Sequence, residues 1–506
     1  MKYLRTILGR TASQKPNNIA LSTVDGKQIT FDNLHKKALL IQKYLTSSSI
    51  KKGHKVGIIS SKTIESVSVI FGVLYSQATY VPIDAEAPAN RSIHILNNCT
   101  PQVIFIEKKL LSKFEEHLTI DYQIQDHYPL HGMHMLVKKD GSDTEDAAVQ
   151  YLNLAIILYT SGSTGIPKGV MITDENALSF INWSNEIFEL TEKDVFISIA
   201  PFHFDLSIFD IYVAVLNAAE LVLIDAPTTR NPRMISTLID QRKISIWYST
   251  PSLLKLMINY GKLDRFSHSS IRYTLFAGEV FHIESLRKIK QAWSTSDFYN
   301  LYGPTETNVI TYFKVPKNIE DRERPYPIGK PCSYAKIKLF DSTKDTFSDI
   351  EGELWVSGNS VTSGYWNGSE NQLLPFVTDK NNTVWYKTGD LVKVDDEGNY
   401  EFVGRKDRMI KRNGYRIELS EIESAIQKHE NIINAAVIGK AENNNISIQA
   451  FYQMEDDINE GFDIFTLQKH CLNYIPKYML PDSFTKLKEI PTTSTYKIDY
   501  QSLSKL

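Results

Sequence analysis

The chain has 506 residues, of which 42% are apolar and 23% are charged, and its formal net charge is −3. This length exceeds one ordinary hydrophobic core, so we expect two or more domains, and the small net charge argues against a nucleic-acid or acidic-membrane partner. Three widely separated cysteines match no disulfide or zinc pattern, and no run of about eighteen apolar residues occurs, so we expect a soluble cytoplasmic protein.

The first half of the chain alternates short β-rich runs with helical patterns. The alternation begins with strand, helix, strand, helix and strand patterns at 54–60, 63–77, 79–84, 91–99 and 102–107. The same rhythm recurs at 195–200, 211–224, 244–250 and 273–278. Such alternation predicts βαβ units and a largely parallel, buried sheet, which is an α/β fold.

After about residue 330 the pattern changes to short strands separated by turn signals, at 335–340, 352–358 and 397–404. A helical pattern at 418–429 and two strand patterns at 434–441 and 447–454 then predict a small α+β unit. The charged stretch 404–411 joins the region of short strands to the α+β pattern that follows, so we place the domain boundary there. We therefore expect a large N-terminal domain (1–405) and a small C-terminal domain (406–506).

The sharpest local signal is the glycine-rich segment 157–170, ILYTSGSTGIPKGV. An apolar strand runs into small residues, whose backbone N–H groups can close on phosphate oxygens, and Lys168 adds a positive charge. The segment does not match the G-x-x-x-x-G-K-[ST] pattern of a Walker A loop. A flexible surface turn is the alternative, but the preceding strand and the lysine after a proline favour a phosphate-binding loop.

The segment YTSGSTGIPKG resembles the phosphate-binding signature of the adenylate-forming superfamily, which includes acyl-CoA synthetases, luciferases and the adenylation domains of nonribosomal peptide synthetases. Seven further segments resemble motifs of that family in the same order, at 28–34, 79–84, 200–212, 300–306, 352–366, 386–391 and 404–423, and TYKID follows at 495–499. The resemblance covers essentially the whole chain. It implies layered α/β sheets and a small β-subdomain in the N-terminal domain, and a small mobile α+β C-terminal domain.

The resemblance also implies a reaction in which a carboxylate attacks the α-phosphate of ATP and expels pyrophosphate. Two anions must approach each other, so the protein has to supply positive charge and position. The phosphate loop would bind ATP through Thr160, Ser161, Gly162, Ser163, Thr164 and Lys168. Thr305 would contact the α-phosphate, and Glu306 would help to hold Mg²⁺.

Recognition of the nucleoside is carried over from the same family. Tyr302 would stack on adenine, and Asn300 would hydrogen-bond its amino edge. Asp390 would accept both ribose hydroxyls, since a carboxylate is a natural bidentate acceptor, and Arg405 would contact the ribose as well. The family pattern adds two further nucleotide-binding residues, Gly278 and Phe402.

Lys497 is the expected catalytic lysine, because a lysine near the C-terminus bridges the substrate carboxylate and the α-phosphate in this family. The family usually has Asn-Gly before this lysine, whereas this chain has Thr495 and Tyr496.

For the second half-reaction the C-terminal domain of this family rotates about a hinge, which corresponds to Asp407. The loop 411–416 would then replace Lys497 at the site, with Gly414 allowing a pantetheine arm to approach.

The expected substrate is a small apolar amino acid. Asp205 stands where amino-acid-activating members bind the α-ammonium group, and a buried carboxylate in an apolar pocket implies a cationic ligand. The other pocket positions are apolar apart from one tyrosine, namely Leu206, Phe209, Tyr248, Leu275, Ala277, Leu301, Val309 and Ile310. With Asp205 and Lys497 they resemble the pattern of L-prolyl carrier protein ligases, except that a cysteine is more usual at Ile310. A pyrrolidinium would offer two N–H donors to Asp205 and an aliphatic ring to the apolar wall.

Several alternatives stay open. A D-alanyl carrier protein ligase has a similar fourth motif, and apolar pockets discriminate by only about 1–3 kcal/mol per methylene. An acyl- or aryl-CoA ligase would need no carboxylate at position 205, and a non-catalytic adenylate-binding protein is the third possibility. Because the sequence shows no carrier domain, the expected acceptor is the phosphopantetheine thiol of a separate carrier protein, with coenzyme A as the weaker choice.

Overall fold

The computed structural model describes residues 4–125, 130, 132–139, 153–161, 167–319, 322–368, 375–406, 408–442, 445–454, 463–491 and 498–506. Two large sheets, one small β-subdomain and a C-terminal α+β unit account for these residues. The search for membrane-spanning segments finds no helix in these ranges with the length and apolar character to cross a bilayer. The polar segment 140–150, for which the sequence predicts a surface loop, lies outside the described residues.

The first large sheet has eight strands, and its four central strands are parallel to one another. Antiparallel strands extend it on both sides. In spatial order the strands are Tyr365–Trp366, Lys168–Thr173, Leu154–Thr160, Thr79–Ile83, Lys55–Ile59, Val103–Glu107, Met133–Lys138 and Tyr122–Ile124. The central strands are buried on both faces, as expected for a parallel sheet covered by helices.

The second large sheet has nine strands, six of which run parallel. In spatial order the strands are Lys330–Pro331, Thr311–Lys314, Asp297–Tyr302, Tyr273–Ala277, Ile246–Ser249, Val195–Ser198, Glu220–Leu223, Ile19–Thr23 and Gln28–Thr30. The sequence alternation predicted a parallel sheet, but it did not reveal that the parallel strands divide between two sheets.

Helices cover the two sheets, and the main apolar core lies between them. The α-helices of this region are Ile7–Gln14, Phe31–Ser47, Ile64–Tyr75, Ala89–Cys99, Glu115–Asp121, Asp174–Ile187, Leu206–Ile208, Ala214–Leu216, Ala226–Thr229, Pro232–Arg242, Pro251–Tyr260 and Ile283–Ala292. A π-helical segment, Phe209–Val213, joins two of the short ones. Capping boxes begin two of the longer helices, with Thr63 bonding to Ser66 and Thr173 to Asn176.

A six-stranded antiparallel sheet forms the β-subdomain. Its strands are Ala335–Asp341, Thr346–Ser348, Glu351–Gly358, Phe376–Thr378, Val384–Val394 and Tyr400–Arg405. The next strand in the chain, Met409–Arg412, pairs with a different partner. The pairing pattern therefore changes between Arg405 and Met409.

The C-terminal unit begins with a hairpin, which we call hairpin 409–418, formed by strands Met409–Arg412 and Tyr415–Glu418. A three-stranded sheet and three helices follow, namely Leu419–Gln427, Ile432–Glu442, Asn445–Met454, Ile464–Cys471, Ser483–Lys486 and Tyr500–Leu503. They enclose a separate apolar core. The predicted α/β class is confirmed, with layered sheets, a β-subdomain and a small α+β unit.

We predict that Gly72→Ala destabilises the N-terminal domain, because a Cβ atom at Gly72 would lie 2.5 Å from Cγ2 of Ile41 on the neighbouring helix. Overpacking of this kind costs about 1–3 kcal/mol. Thermal unfolding followed by circular dichroism should show a lower Tm for this variant. Gly404→Ala is the matched control, since a Cβ atom there meets nothing within 4 Å. Equal Tm values for the two variants would contradict the close helix packing.

Candidate active site

A cavity of about 110 Å³ lies at the carboxyl ends of parallel strands in the nine-stranded sheet. Tyr248 and Ala277 stand on two of these strands, and Thr305 follows the third. Ser161, at the end of a strand in the eight-stranded sheet, and hairpin 409–418 close the other sides. Open α/β sheets bind ligands at such an edge, so the fold gathers the predicted motifs at one cavity.

Beside the cavity, next to the lining residue Thr305, lies the carboxylate of Glu306, whose side chain is 0% exposed. Arg416 of hairpin 409–418 donates from Nη1 to both carboxylate oxygens at 2.8 Å, and the Tyr365 hydroxyl donates to Oε1 at 2.7 Å. Burial alone would raise the pKa of Glu306, but Arg416 and Tyr365 hold this pKa below its ordinary value. The carboxylate is therefore ionised and already carries a cationic partner.

The phosphate loop is described at its two ends. Thr160 pairs with Lys168 across two antiparallel strands, which brings the lysine back beside the start of the loop. The Lys168 ammonium lies 5.5 Å from the ring centroid of Tyr365. In the described part of the chain, the buried Thr160 Oγ1 has no hydrogen-bond partner, so a donor or acceptor remains available for a ligand. The predicted residues Gly162, Ser163 and Thr164 lie outside the described ranges.

The predicted nucleoside-binding residues form a buried polar cluster beside the cavity. The Tyr302 hydroxyl donates to Asp390, which is 0% exposed, and Arg405 donates to the other oxygen of that carboxylate at 2.5 Å. Burial and the Asp390 charge raise the pKa of Tyr302 well above its usual value, so its hydroxyl stays protonated. Lys411 lies 5.3 Å from the centroid of the Tyr302 ring. Hairpin 409–418 thus covers the ring that was predicted to stack on adenine.

Three other predicted nucleotide residues surround this cluster. Asn300 donates from Nδ2 to the Pro327 carbonyl at 2.8 Å, which leaves its amide oxygen free of that bond. Phe402 packs against the apolar group that contains Tyr302. Gly278 lines the cavity with φ at +94°, a conformation that favours glycine.

The predicted amino-acid pocket is partly at the cavity surface and partly behind it. The cavity is lined by Asp205, Leu206, Tyr248, Ala277 and Val309. Behind them, three predicted residues are fully buried in the same apolar core, namely Phe209, Leu275 and Leu301. Phe209 meets Tyr248 edge-on, with ring centroids 5.4 Å apart. Ile310 instead packs in a different apolar core, with Tyr302 and residues of the β-subdomain.

Asp205 is the acidic group nearest to this apolar wall. Burial raises its pKa, and hydrogen bonds from the Thr305 hydroxyl and the Leu206 backbone partly oppose that rise. Lys411 from hairpin 409–418 also faces this carboxylate and favours its ionised form. A cationic ligand would have the same effect, because positive charge lowers the cost of a buried carboxylate.

Hairpin 409–418 is held against the N-terminal domain at several points. The Gly414 N–H donates to Oε1 of Glu279 at 2.6 Å, and Ser161 Oγ donates to the Arg416 carbonyl at 2.6 Å. Arg91 forms a buried ion pair with Glu421 on the helix that follows the hairpin. The C-terminal unit is therefore in the orientation in which the loop 411–416 occupies the site.

Two predicted residues of the C-terminal domain lie outside the described ranges, the hinge residue Asp407 and the catalytic lysine Lys497. The residue after Lys497, Ile498, packs against the apolar face of the C-terminal sheet. Sequence reasoning did not single out Arg416, Tyr365 or Lys411. Arg416 and Lys411 lie in the loop 411–416 beside Gly414, so the positive charges within that loop were the available signal.

Comparison with known proteins gives the following similarities. A family model described as AMP-binding enzyme matches residues 8–366, and one described as AMP-binding enzyme C-terminal domain matches residues 421–497. The chain is 32% identical over 496 residues to an L-proline–L-prolyl-carrier protein ligase of Streptomyces coelicolor, covering 95% of this chain and 92% of the relative. It is 31% identical over 510 residues to the protein of that name from Pseudomonas fluorescens, covering 100% of this chain and 99% of the relative.

A solved structure shares the fold. It is the Vibrio cholerae adenylation domain AlmE in complex with glycyl-adenosine-5'-phosphate, with a TM-score of 0.82 and 22% sequence identity. The superposition covers 99% of this chain and 97% of that chain. At this identity the likeness concerns the arrangement of the sheets and of the C-terminal unit.

We predict that Gly414→Ala releases hairpin 409–418 from the N-terminal domain. A Cβ atom at Gly414 would overlap Thr250, and φ at +81° costs a non-glycine residue about 1–3 kcal/mol. Hydrogen-exchange mass spectrometry should show faster exchange in the peptide covering residues 409–418. The double variant Gly414→Ala/Thr250→Gly should recover part of the protection, and Thr250→Gly alone is the matched control because Thr250 makes no side-chain cap bond. Unchanged exchange in Gly414→Ala would show that the hairpin is not docked in solution.

Proposed function

Because the chain belongs to the AMP-binding enzyme family, we propose that it activates L-proline with ATP as prolyl-AMP, releases pyrophosphate, and transfers the prolyl group to the phosphopantetheine thiol of a separate carrier protein. The observation that carries the proposal is the position of Asp205 at the end of an otherwise apolar wall. A carboxylate there has a clear use only if the bound acid carries a positive charge. This feature separates an amino-acid substrate from a fatty or aryl acid.

The shape and chemistry of the wall support proline in particular. Leu206, Ala277 and Val309 offer no hydrogen-bonding side chain, so this part of the wall favours an apolar substrate side chain. A pyrrolidinium can direct its two N–H groups at Asp205 while its ring contacts these residues. The two relatives named as L-proline–L-prolyl-carrier protein ligases match nearly the whole chain, and the chain spans 92% and 99% of them. Their names also support a carrier protein as the acceptor.

The residues present suit ATP with Mg²⁺. Thr160, whose hydroxyl has no hydrogen-bond partner among the described residues, and the buried Lys168 would hold phosphate oxygens, while Asp390 and Arg405 would bind the ribose. Within the described ranges, no cluster of three or more His, Cys, Asp or Glu side chains could hold a metal ion alone. Glu306 supplies one carboxylate, and Mg²⁺ normally takes one or two carboxylates besides phosphate and water oxygens. The bound ion would neutralise charge on the phosphates.

The protein's part in the first step is positioning and charge stabilisation. Asp205 would hold the ammonium group so that the proline carboxylate points towards Thr305, which lines the same cavity. In-line attack on the α-phosphate then needs a cation between the two anions, and we assign this role to Lys497. Lysine suits this role because its ammonium is compact and carried on a flexible stem.

The protein's part in the second step is access for a thiol. In the orientation described above, Gly414 lies against Thr250 at the cavity wall, and its lack of a side chain leaves room there. The thiol sulfur would attack the carbonyl carbon of prolyl-AMP, and AMP would leave. Asp407 is the proposed hinge through which the C-terminal domain reaches this orientation.

We predict that exchange of radioactive pyrophosphate into ATP depends on L-proline, and that Asp205→Asn reduces kcat/KM for proline at least about 30-fold. Removing one partner of a buried charge pair costs about 2 kcal/mol or more, which corresponds to this factor. A panel containing D-alanine, glycine, L-proline and a hydrophobic acid without an amine would be assayed side by side. Preference for D-alanine would move the assignment to the alternative ligase, and exchange with the amine-free acid would overturn the role of Asp205.

We also predict that Lys497→Ala lowers proline-dependent exchange about 100-fold, since loss of one group that stabilises transition-state charge costs about 10²–10³ in kcat. The matched control is Lys488→Ala, because Lys488 is an exposed lysine of the same domain. Exchange rates would be measured with saturating proline and ATP. Equal rates in the two variants would remove Lys497 from the mechanism.

A further inference from the structure

The site cavity adjoins a second, larger cavity of about 1360 Å³ that opens between the N-terminal sheets and hairpin 409–418. Six residues line both cavities, namely His203, Phe204, Leu206, Thr250, Gly414 and Tyr415. They form the passage between the two cavities, which we call the waist. A thiol from solvent would pass through it towards Asp205. Of these six side chains, the imidazole of His203 is the one that can exchange a proton near neutral pH.

Aromatic and charged groups fix the surroundings of His203. Its ring meets Phe204 at a centroid distance of 5.2 Å, and its Nε2 lies 3.9 Å from Oδ2 of Asp84. Asp84 follows the strand Thr79–Ile83 of the eight-stranded sheet. The other charged groups that face the imidazole are Glu86, Arg91 and Lys62. The waist therefore holds an imidazole beside a carboxylate.

We propose that His203 is the general base that accepts the proton of the attacking thiol when the thioester forms. This inference rests on the proposed function, because it concerns the transfer of the acyl group to a thiol. It assigns a catalytic role to a residue that the motif analysis did not select.

The proposed step balances without a further reactant. The S–H bond breaks and its proton passes to a ring nitrogen of His203, while the sulfur electron pair forms a bond to the carbonyl carbon of prolyl-AMP. The bond from that carbon to the phosphate oxygen then breaks, and AMP leaves with the electron pair. The imidazolium afterwards returns its proton to solvent, so the products are the thioester, AMP and a proton.

A base is useful here because the thiolate is the reactive form of a thiol. An unperturbed thiol has a pKa of about 8.5, so only a few per cent is ionised at pH 7. Burial lowers the pKa of His203 below its ordinary value, with Arg91 and Lys62 acting in the same direction. The imidazole is therefore neutral near pH 7 and able to accept a proton. Asp84 and Glu86 oppose the shift and would stabilise the imidazolium as it forms.

Closure of the C-terminal unit improves the setting for this proton transfer. Arg91 disfavours a charged imidazole, but Glu421 of the C-terminal unit pairs with Arg91 in this orientation. Glu421 thereby offsets part of the positive charge that opposes the imidazolium. The base would then be most effective when hairpin 409–418 occupies the site.

Lys62 positions the segment that carries His203. Its ammonium donates to the carbonyls of Ser198 and Ile199, at 2.6 and 2.7 Å, where the strand Val195–Ser198 ends and the His203 loop begins. Burial lowers the pKa of Lys62 to about 7, so this group also titrates in the range of interest. A test by pH dependence must therefore compare proteins that both retain Lys62.

Two other groups at the cavity are less suitable as bases. Asp205 is assigned to the substrate ammonium, which would hold it ionised and occupied. Burial lowers the pKa of Lys411, with Arg405 and Arg416 acting in the same direction and Asp390 and Asp205 opposing them, so its exclusion rests on its position. Neither residue lines the outer cavity, whereas His203 lines both cavities.

The test is single-turnover transfer from enzyme-bound prolyl-AMP to free pantetheine, measured between pH 6 and pH 8 for the unaltered full-length chain and for His203→Gln. General bases contribute about 10²–10⁴-fold, so transfer by the variant at pH 7 should be at least tenfold slower. Without the base, the variant depends on spontaneous ionisation of the thiol. The ratio of the variant rate to the unaltered rate should therefore rise nearly tenfold per pH unit. Lys62 affects both proteins alike and cancels in this ratio.

The controls separate this inference from the proposed function. His134→Gln removes a histidine that lines neither cavity and whose pKa is also lowered by burial, and its rate ratio should stay constant with pH. Proline-dependent pyrophosphate exchange shows that each variant is folded, and His203→Asn serves as a second variant. A slower variant whose rate ratio does not change with pH would overturn the base and leave the proposed function intact. Absence of transfer by the unaltered chain would overturn both.

Discussion

The buried carboxylate of Glu306 constrains the rest of the site. A fully buried ionised carboxylate without a cation costs several kcal/mol, so the charged form of Glu306 depends on a positive group beside it. In this structure the positive group is Arg416 of the C-terminal domain, whose Nη1 donates hydrogen bonds to both carboxylate oxygens of Glu306. The same carboxylate is the proposed ligand of Mg²⁺. Hairpin 409–418 and the metal ion would therefore compete for one partner, and we assign the docked hairpin to the proposed transfer step, which follows pyrophosphate release.

The position of Arg416 determines where its neighbours in the hairpin lie. With Arg416 bound to Glu306, Lys411 reaches Asp205 and the Tyr302 ring, and Gly414 packs on Thr250. Tyr415 stacks on Tyr478 and meets Phe204 edge-on, which completes the waist beside His203. The buried ion pair thus accompanies the contacts that cover the predicted nucleoside site and those that line the proposed route of the thiol.

The sequence predicted the class of fold and part of the cavity wall, including Asp205, Tyr248 and Thr305, because short apolar runs and family motifs are local features. It did not predict the pairing of Glu306 with Arg416, which are 110 residues apart and belong to different domains. The sequence also could not predict how the parallel strands divide between two sheets, because each strand has the same apolar pattern whichever sheet it joins. His203 was overlooked for a related reason. A histidine beside a motif aspartate has no distinctive spacing, and its role depends on two cavities that meet only in three dimensions.

Ile310 is the pocket position that departs from the sequence pattern of the L-prolyl carrier protein ligases. The pattern shared with L-prolyl carrier protein ligases usually has a cysteine at this position, which would count against proline if the side chain faced the substrate. Ile310 is 0% exposed and packs with Tyr302, Ile328 and Leu339, on the side of the β-subdomain. Asp205, Leu206 and Val309, which do line the cavity, all keep the pattern. A larger side chain at position 310 therefore fills the junction with the β-subdomain, and the proposed amino-acid-binding wall is unaltered.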